Sequence, residues 1–288
     1  MAELNGEKYL ADVEIAWCPG CGNFAIRKSL ARALAQVDLP PHKVVLVTGI
    51  GQAAKIAHYV NLNGFNGLHG RTIAAAAGVK LARPDLTVIA ESGDGDLYGE
   101  GGNHLVHNIR RNVDLTVIAH DNRVYGLTKG QASPTAPRGY RTRAQPAGSP
   151  SAPLNPLALA VAVGAPFVAQ AFSGEIERTA DLIAQGIRHK GFALVNVLHP
   201  CPSWNRVQTF AWYRERLVHL EERGHDPTDR AAAFAVAIGS GEEIPIGVVY
   251  RTERPTFADG HPVLAGDPVG LRPLPSPEDV RPILEGFL

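Results

Sequence analysis

Apolar residues recur along the chain in short, largely β-branched runs at Lys43–Thr48, Leu86–Ala90, Leu115–Ala119, Phe167–Ala171 and Phe192–Leu198. Runs of this length read as strands, and Leu86–Ala90, with no polar alternation, reads as a buried parallel one. Between the runs the pattern becomes helical, over Asn23–Gln36, Arg71–Leu81, Tyr98–Arg111, Pro156–Val163 and Ile176–Lys190. Arg71–Leu81 is rich in small residues, Ala74 to Ala77 and then Gly78, which suits a closely packed helix. Strands alternating with helices predict an α/β fold, a parallel sheet with helices on both faces. Ser133–Pro156 is dense in Pro, Ser, Gly and Arg and reads as a long loop, a candidate lid. A helix is expected over Arg206–Arg223. These features divide the chain into a main domain, residues 1–225, and a Pro-rich C-terminal segment, residues 226–288, packed on that domain or on a partner subunit.

One strand–helix–strand unit carries candidate chemistry. Leu86–Ala90 runs into Glu91-Ser92-Gly93-Asp94-Gly95, a glycine-rich turn where the backbone can approach a ligand closely. The helix that follows, with Leu105, Val106 and Ile109 as its apolar positions, points unpaired N–H groups and the positive end of its dipole at whatever lies over the turn. An anion belongs there. The next strand, Leu115–Ala119, ends at Asp121-Asn122, so Asp94 and Asn122, 28 positions apart, stand on neighbouring strand tips. Mg²⁺ takes about six oxygens, with only one or two carboxylates and the rest from phosphates and water. The Asp94 carboxylate, the Asn122 amide oxygen, the Val124 carbonyl, two diphosphate oxygens and a water complete such a shell. Alone, Gly-Asp-Gly is a turn and Asp-Asn a loop end; together, at this spacing and in this frame, they point to a magnesium diphosphate.

Gly93-Asp94-Gly95-Asp96, Gly102-Asn103-His104, Arg110-Arg111-Asn112 and the string from Asp121 through Tyr125-Gly126-Leu127-Thr128-Lys129 to Thr135 resemble the beta subunit of 2-oxoacid:ferredoxin oxidoreductases, the thiamine diphosphate-binding half. Trp17-Cys18-Pro19-Gly20-Cys21-Gly22, Leu68-His69-Gly70-Arg71 and His199-Pro200-Cys201-Pro202 resemble the same family's other landmarks, in the same order. The resemblance implies a thiamine diphosphate-binding fold whose cofactor contacts fall on Gly93, Asp94, Gly95, Asp96, Asn122, Val124, Tyr125, Gly126, Leu127 and Thr128. It implies oxidative decarboxylation of a 2-oxoacid with coenzyme A, giving acyl-CoA, CO₂ and reduced ferredoxin, or the reverse, CO₂-fixing direction. It places His69 and Arg71 beside the thiazolium and the substrate carboxylate. Lys129 follows the cofactor loop directly and Lys55 the Gly-Ile-Gly turn. Lysines are ordinarily solvated surface groups; here an ammonium could pair with a second substrate carboxylate, which favours 2-oxoglutarate. His104 and His107 on the helix over the turn read as structural. No domain supplying a glutamate to the aminopyrimidine can be placed in this chain, so an alpha subunit is expected, in an (αβ)₂ heterotetramer.

Composition narrows the classes. The 288 residues are 45% hydrophobic and 19% charged, with net charge zero, which fits a buried globular core and favours neither nucleic acid nor an anionic membrane as partner. No apolar run approaches about 18 residues. The acidic amino terminus, with Glu3, Glu7 and Asp12, does not read as a signal peptide, so a cytoplasmic protein is expected. Three cysteines do not make a disulfide scaffold. Cys18 and Cys21 bracket a Pro-Gly turn and Cys201 ends a strand, a set suited to a metal centre. In the resembling family this is a [4Fe–4S] cluster, whose fourth cysteine follows the Gly-Ile-Gly turn; here Gln52 stands at that place. A cluster on three thiolates and another ligand, a [3Fe–4S] centre, zinc completed by His58 or His199, and unligated thiols are the alternatives. Rival functions are a non-redox thiamine lyase or synthase with structural cysteines, and a cofactor-binding module without catalysis.

Overall fold

The computed structural model describes residues 6–239, 242–264 and 266–287; Glu3 lies outside them. In chain order the elements are α1 (Asn23–Gln36), β1 (Val44–Thr48), β2 (Asn63–Asn66), α2 (Thr72–Ala82) and β3 (Thr87–Gly93). A π-helical turn (Gly95–Glu100) leads to α3 (Gly102–Arg111), β4 (Thr116–Asp121), β5 (Val124–Tyr125) and β6 (Gln131–Ala132). After the long loop come α4 (Pro156–Val163), β7 (Phe167–Phe172), α5 (Ile176–Arg188), β8 (Ala193–Leu198) and α6 (Phe210–Arg214). The last elements are β9 (Leu217–His219), α7 (Arg230–Ile238), β10 (Ile244–Arg251) and α8 (Pro277–Glu285).

Eight strands form one sheet in the order β2-β1-β3-β4-β8-β7-β10-β9. The first six run parallel, and β10 turns antiparallel to β7. Side-chain alternation sends Val88 and Ala90 of β3 to one face and Ile89 to the other. Each face has its own apolar core: α2, α3, α4 and α7 cover one and α1 and α5 the other. Burial on both faces is why these strands carry unbroken apolar runs. The strand order reverses after β4, since β8 comes in beside it and β7 lies beyond. In open parallel sheets such a reversal opens a crevice at the carboxyl ends of the strands.

Two expectations are corrected. No single helix spans Arg206–Arg223: α6 has five residues, and Leu217–His219 is a strand. Phe210, Trp212, Tyr213 and Leu217 gather with Phe172, Leu198, Ile244 and Ile246 into a third, smaller core, and pairing of β9 with β10 outweighs the helical pattern. The chain after 225 is not merely appended, because α7 packs on α4 and β10 is a strand of the main sheet. Pro245 and Gly247 hide the strand signal of β10; its register with β7 shifts between Val248 and Tyr250, an irregularity that such residues accompany.

Candidate active site

The carboxyl ends of β3 and β4 lie side by side, with Gly93 opposite His120. Asp94, just beyond β3, is buried and accepts hydrogen bonds from Ser133 Oγ at 2.5 Å and Thr135 Oγ1 at 2.6 Å. Thr135 Oγ1 also lies 2.8 Å from Asp121 Oδ1, so one hydroxyl bridges two buried carboxylates. Burial first, and the neighbouring Asp121 carboxylate second, push the Asp94 carboxyl up to about 7, against the lowering effect of the two hydroxyls. Among the described residues no lysine or arginine forms an ion pair with either acid. Asn196 Nδ2 reaches Asp121 Oδ2 at 3.3 Å and takes a bond from Tyr98 on its own oxygen at 2.7 Å, tying the pair into the sheet. Ser133 and Thr135 were not expected as site residues. A β-turn closed by the Ala136 N–H on the Ser133 carbonyl at 3.0 Å brings both hydroxyls to Asp94, and no local sequence signal marks that contact.

Asn122 Oδ1 accepts from the Val124 N–H at 2.9 Å and shapes the turn into a small hairpin, β5 against β6. Gly126, Leu127, Thr128 and Lys129 form the hairpin tip. There Thr128 Oγ1 bonds Gln131, and Lys129 is exposed in a left-handed conformation at φ 69°. Tyr125 lays its ring on the π-turn: a Cβ at Gly95 would stand 2.2 Å from Tyr125 Cε1, so only glycine fits. Asp96, expected at the cofactor, is engaged by Ile50 N–H at 3.1 Å, Gly70 N–H at 2.9 Å and Thr72 Oγ1 at 2.6 Å. It thereby clamps the turns after β1 and before α2 onto the π-turn. His69 is brought to this clamp, and Arg71 stands exposed at the start of α2, where its charge adds to the burial that lowers the basicity of His104. Lys55 is half-buried on the turn after β1 and, like Lys129, makes no ion pair among the described residues.

Behind the cradle lies a chain of buried polar side chains not anticipated as functional. Glu91, in β3, and His120, in β4, meet at 2.7 Å, and the other ring nitrogen of His120 is 2.9 Å from Asn23 Oδ1 in α1. All three are 0–1% exposed. Burial pushes Glu91 up to about 8 and His120 down to about 3, so the contact is a hydrogen bond between neutral groups rather than an ion pair. His199 stands edge-on to His120 at 5.9 Å and packs so closely on Gly22 that a Cβ there would lie 2.4 Å from its own.

His199 leads to the cysteines. Cys18 is exposed, Cys21 half-buried and Cys201 buried. The thiols sit near enough that Cys201 and Cys18 add to the burial that raises Cys21 to about 11. Burial raises the Cys201 thiol, and the backbone N–H groups of Trp204, Asn205 and Ser203 oppose that rise. Gln52 joins this end to the cofactor hairpin: its carbonyl takes a 2.7 Å bond from Trp17 Nε1, its Cγ lies close to Gly126, and its Oε1 is buried without a partner. His58 is exposed. No three His, Cys, Asp or Glu side chains converge tightly on one point among the described residues. The magnesium shell outlined above needs only one carboxylate, so that finding is compatible with it. A cavity of about 1150 Å³ opens at the amino-terminal ends of β4 and β7 beside His189 and Phe257, across the sheet from all of these groups.

Residues 42–197 match the family profile described as "Thiamine pyrophosphate enzyme, C-terminal TPP binding domain", and residues 201–266 match the profile of the C-terminal part of the pyruvate ferredoxin oxidoreductase beta subunit. The chain is 41% identical to 2-oxoacid:ferredoxin oxidoreductase 1, subunit beta, of Aeropyrum pernix, over 99% of this chain and 94% of that one. It is 39% identical to the 2-oxoglutarate synthase subunit KorB of Methanocaldococcus jannaschii, over 84% and 90% respectively. A solved structure of 2-oxoglutarate:ferredoxin oxidoreductase from Magnetococcus marinus, with 2-oxoglutarate, coenzyme A and succinyl-CoA bound, superposes with a TM-score of 0.86 at 39% identity, covering 89% of this chain and 88% of that one. An α/β sheet of this topology, with its buried acids at the strand tips and its cysteines beside them, therefore belongs to the beta subunits of the 2-oxoacid:ferredoxin oxidoreductases.

Proposed function

We propose that this subunit serves the oxidative decarboxylation of 2-oxoglutarate with coenzyme A, giving succinyl-CoA, CO₂ and reduced ferredoxin, or the reverse. The observation that carries the reading is the pair Asp94 and Asp121, buried at the strand tips, clamped by Thr135 and without a basic partner among the described residues. Two such acids call for a cation, and Mg²⁺ carried by a diphosphate is the cation this turn suits. Asp94, the Asn122 amide and the Val124 carbonyl would hold the magnesium, and Gly93, Gly95 and Tyr125 through Thr128 would border the cofactor. When bound, thiamine diphosphate supplies the carbon nucleophile that loosens the bond between the 2-oxo carbon and its carboxylate. The chain's part is to fix that group, to exclude water through Tyr125 and the 133–156 loop acting as a lid, and to hold the substrate's carboxylates with Arg71, Lys129 and Lys55. His69 borders the same space.

Cys18, Cys21 and Cys201, with a fourth ligand that is not a thiolate, would hold a [4Fe–4S] cluster that relays electrons to ferredoxin. Ile50, Phe65, Leu68 and Leu127 are 40–74% exposed around the carboxyl end of the sheet. Apolar side chains of this size mark a surface that a partner covers, here the alpha subunit in an (αβ)₂ assembly. The test is turnover of 2-oxoglutarate and pyruvate by the αβ complex, wild type and Lys129→Ala, with iron, sulfide and thiamine assayed anaerobically in the same samples. The expected result is all three present and a preference for 2-oxoglutarate that falls about tenfold in the variant, the scale of one charge-assisted hydrogen bond. An unchanged preference removes Lys129 from substrate selection. Thiamine without iron or sulfide overturns the redox reading and leaves a non-redox thiamine lyase.

A further inference from the structure

Glu100 closes the π-turn, and two parts of the site meet on it. The backbone of the His69-Gly70-Arg71 turn lies against it: Gly70 has φ 71°, and a Cβ there would stand 2.5 Å from the Cβ of Glu100. Its carboxylate lies 3.1 Å from His69 Nδ1 and 3.5 Å from the Tyr125 hydroxyl. A second carboxylate oxygen, from Asp96 on the same turn, is 3.7 Å from the same nitrogen. The His69 and Tyr125 rings face each other at 6.1 Å, tilted by 38°. His69 Nδ1 is itself buried and makes no aligned hydrogen bond, so the two carboxylates act on it through their charge across 3.1 and 3.7 Å.

The packing against Gly70 uses only the backbone and Cβ of Glu100, which any residue could supply. The carboxylate, by contrast, is half-exposed and makes no bond to a lysine or arginine among the described residues, so it adds nothing to the fold that a neutral side chain would lack. What it can do is chemical. A nitrogen facing two carboxylates must carry the proton, since a lone pair there would be repelled. We infer that Glu100 is a positioning residue that holds His69 in its Nδ1–H form and so leaves Nε2 to face the substrate. It acts through His69 and touches no reacting atom. The inference rests on the proposed function for the role of His69, but not for its proton.

The tautomer is measurable without cofactor or substrate, by ¹⁵N resonances of histidine in the full chain above the ordinary imidazole range, with His69→Gln supplying the assignment. The expected result is Nδ1–H at His69 in wild type, a shift toward Nε2–H in Glu100→Ala, and retention of Nδ1–H in Glu100→Gln, whose amide oxygen still accepts. In the αβ complex, Glu100→Ala should lower kcat about tenfold to a hundredfold, the scale of a misoriented group. KM for the 2-oxoacid and affinity for thiamine diphosphate should change less than about threefold, and Glu100→Gln should restore most of kcat. An unchanged tautomer in Glu100→Ala overturns the inference, as does a shifted tautomer with kcat intact. Glu100→Gln, close in shape to the native residue, keeps the test open if the alanine variant folds poorly. If no thiamine-dependent turnover exists at all, the functional reading fails while the resonances still decide what Glu100 does.

Discussion

At the tips of β3 and β4 the acids are met by hydroxyls and amides: Asp94 by Ser133 and Thr135, Asp121 by Thr135 and Asn196. At the turn before α1 and beyond β8 the opposite holds, for both ring nitrogens of His199, Oε2 of Glu91, Nδ2 of Asn23 and Oε1 of Gln52 are buried without a partner. Buried polar groups are nearly always satisfied, so a cluster of orphans is informative. The cradle's acids are met by the protein's own hydroxyls and amides, although Ser92 Oγ, His69 Nδ1 and Arg123 Nε nearby are also buried without a partner. Around His199 and Gln52 the side chains leave more of these groups unanswered. Both ends lie at the carboxyl ends of the sheet strands, so the proposed cofactor cradle and the three cysteines are neighbours.

Asp94→Asn gives the largest expected effect, because it removes the one carboxylate assigned to the magnesium and leaves Ser133 and Thr135 hydroxyls facing an amide. Affinity for thiamine diphosphate, measured by titration calorimetry in the presence of Mg²⁺, should fall about a hundredfold or more, the upper end of what supporting residues at metal sites cost. A change below about threefold would mean that the cradle is not where the diphosphate sits. Cys201→Ser should cut bound iron and sulfide at least about tenfold while leaving thiamine diphosphate affinity within about threefold, since Asp94 is held by Ser133 and Thr135 and not by the segment that carries Cys201. Loss of both ligands together in Cys201→Ser would show the two ends to be one cooperative unit.

The sheet was legible in the sequence because five of its strands are covered on both faces and carry continuous apolar runs, a signal that depends on local composition alone. That Asp94 and Asn122 follow neighbouring strands was legible for a related reason: each comes directly after its strand, and β3 pairs with β4. Ser133 and Thr135 escaped because the β5–β6 hairpin returns them to Asp94 from 39 and 41 positions away, and nothing local records that return. Asp96 shares a motif with Asp94 but turns to Gly70, Ile50 and Thr72, because a side chain two residues further along the π-turn points elsewhere. β9 and β10 were missed since their pairing is tertiary, and Pro245 and Gly247 argue locally against a strand. Glu91 and His120 sat in view, polar residues closing apolar strands, but only the fold brings them within 2.7 Å.

That buried pair gives the smallest effect and the sharpest check on the cysteine end. Glu91 is raised from 4.5 to about 8, so the folded chain binds its proton more tightly than the unfolded one, and stability falls as pH rises through that window. His120 is lowered from 6.5 to about 3, so the unfolded chain binds the extra proton, and stability falls as pH drops through that window. Between 4.5 and 6.5 the two slopes oppose and cancel. The pair's joint contribution to the urea midpoint of the full chain is therefore level there, with a decline above about 6.5 due to Glu91 and a decline below about 4.5 due to His120. Asp94, raised from 3.8 to about 7, adds a decline of its own as pH rises through that range, so the alkaline limb above about 7 is where Glu91 is read most cleanly. Glu91→Gln, whose amide can still donate to His120, should flatten that limb and leave the acid limb in place. If the alkaline limb survives in Glu91→Gln, the carboxyl is ionised in the native chain, the contact with His120 is an ion pair after all, and the cysteine end lies beside a buried charge rather than a neutral hydrogen bond.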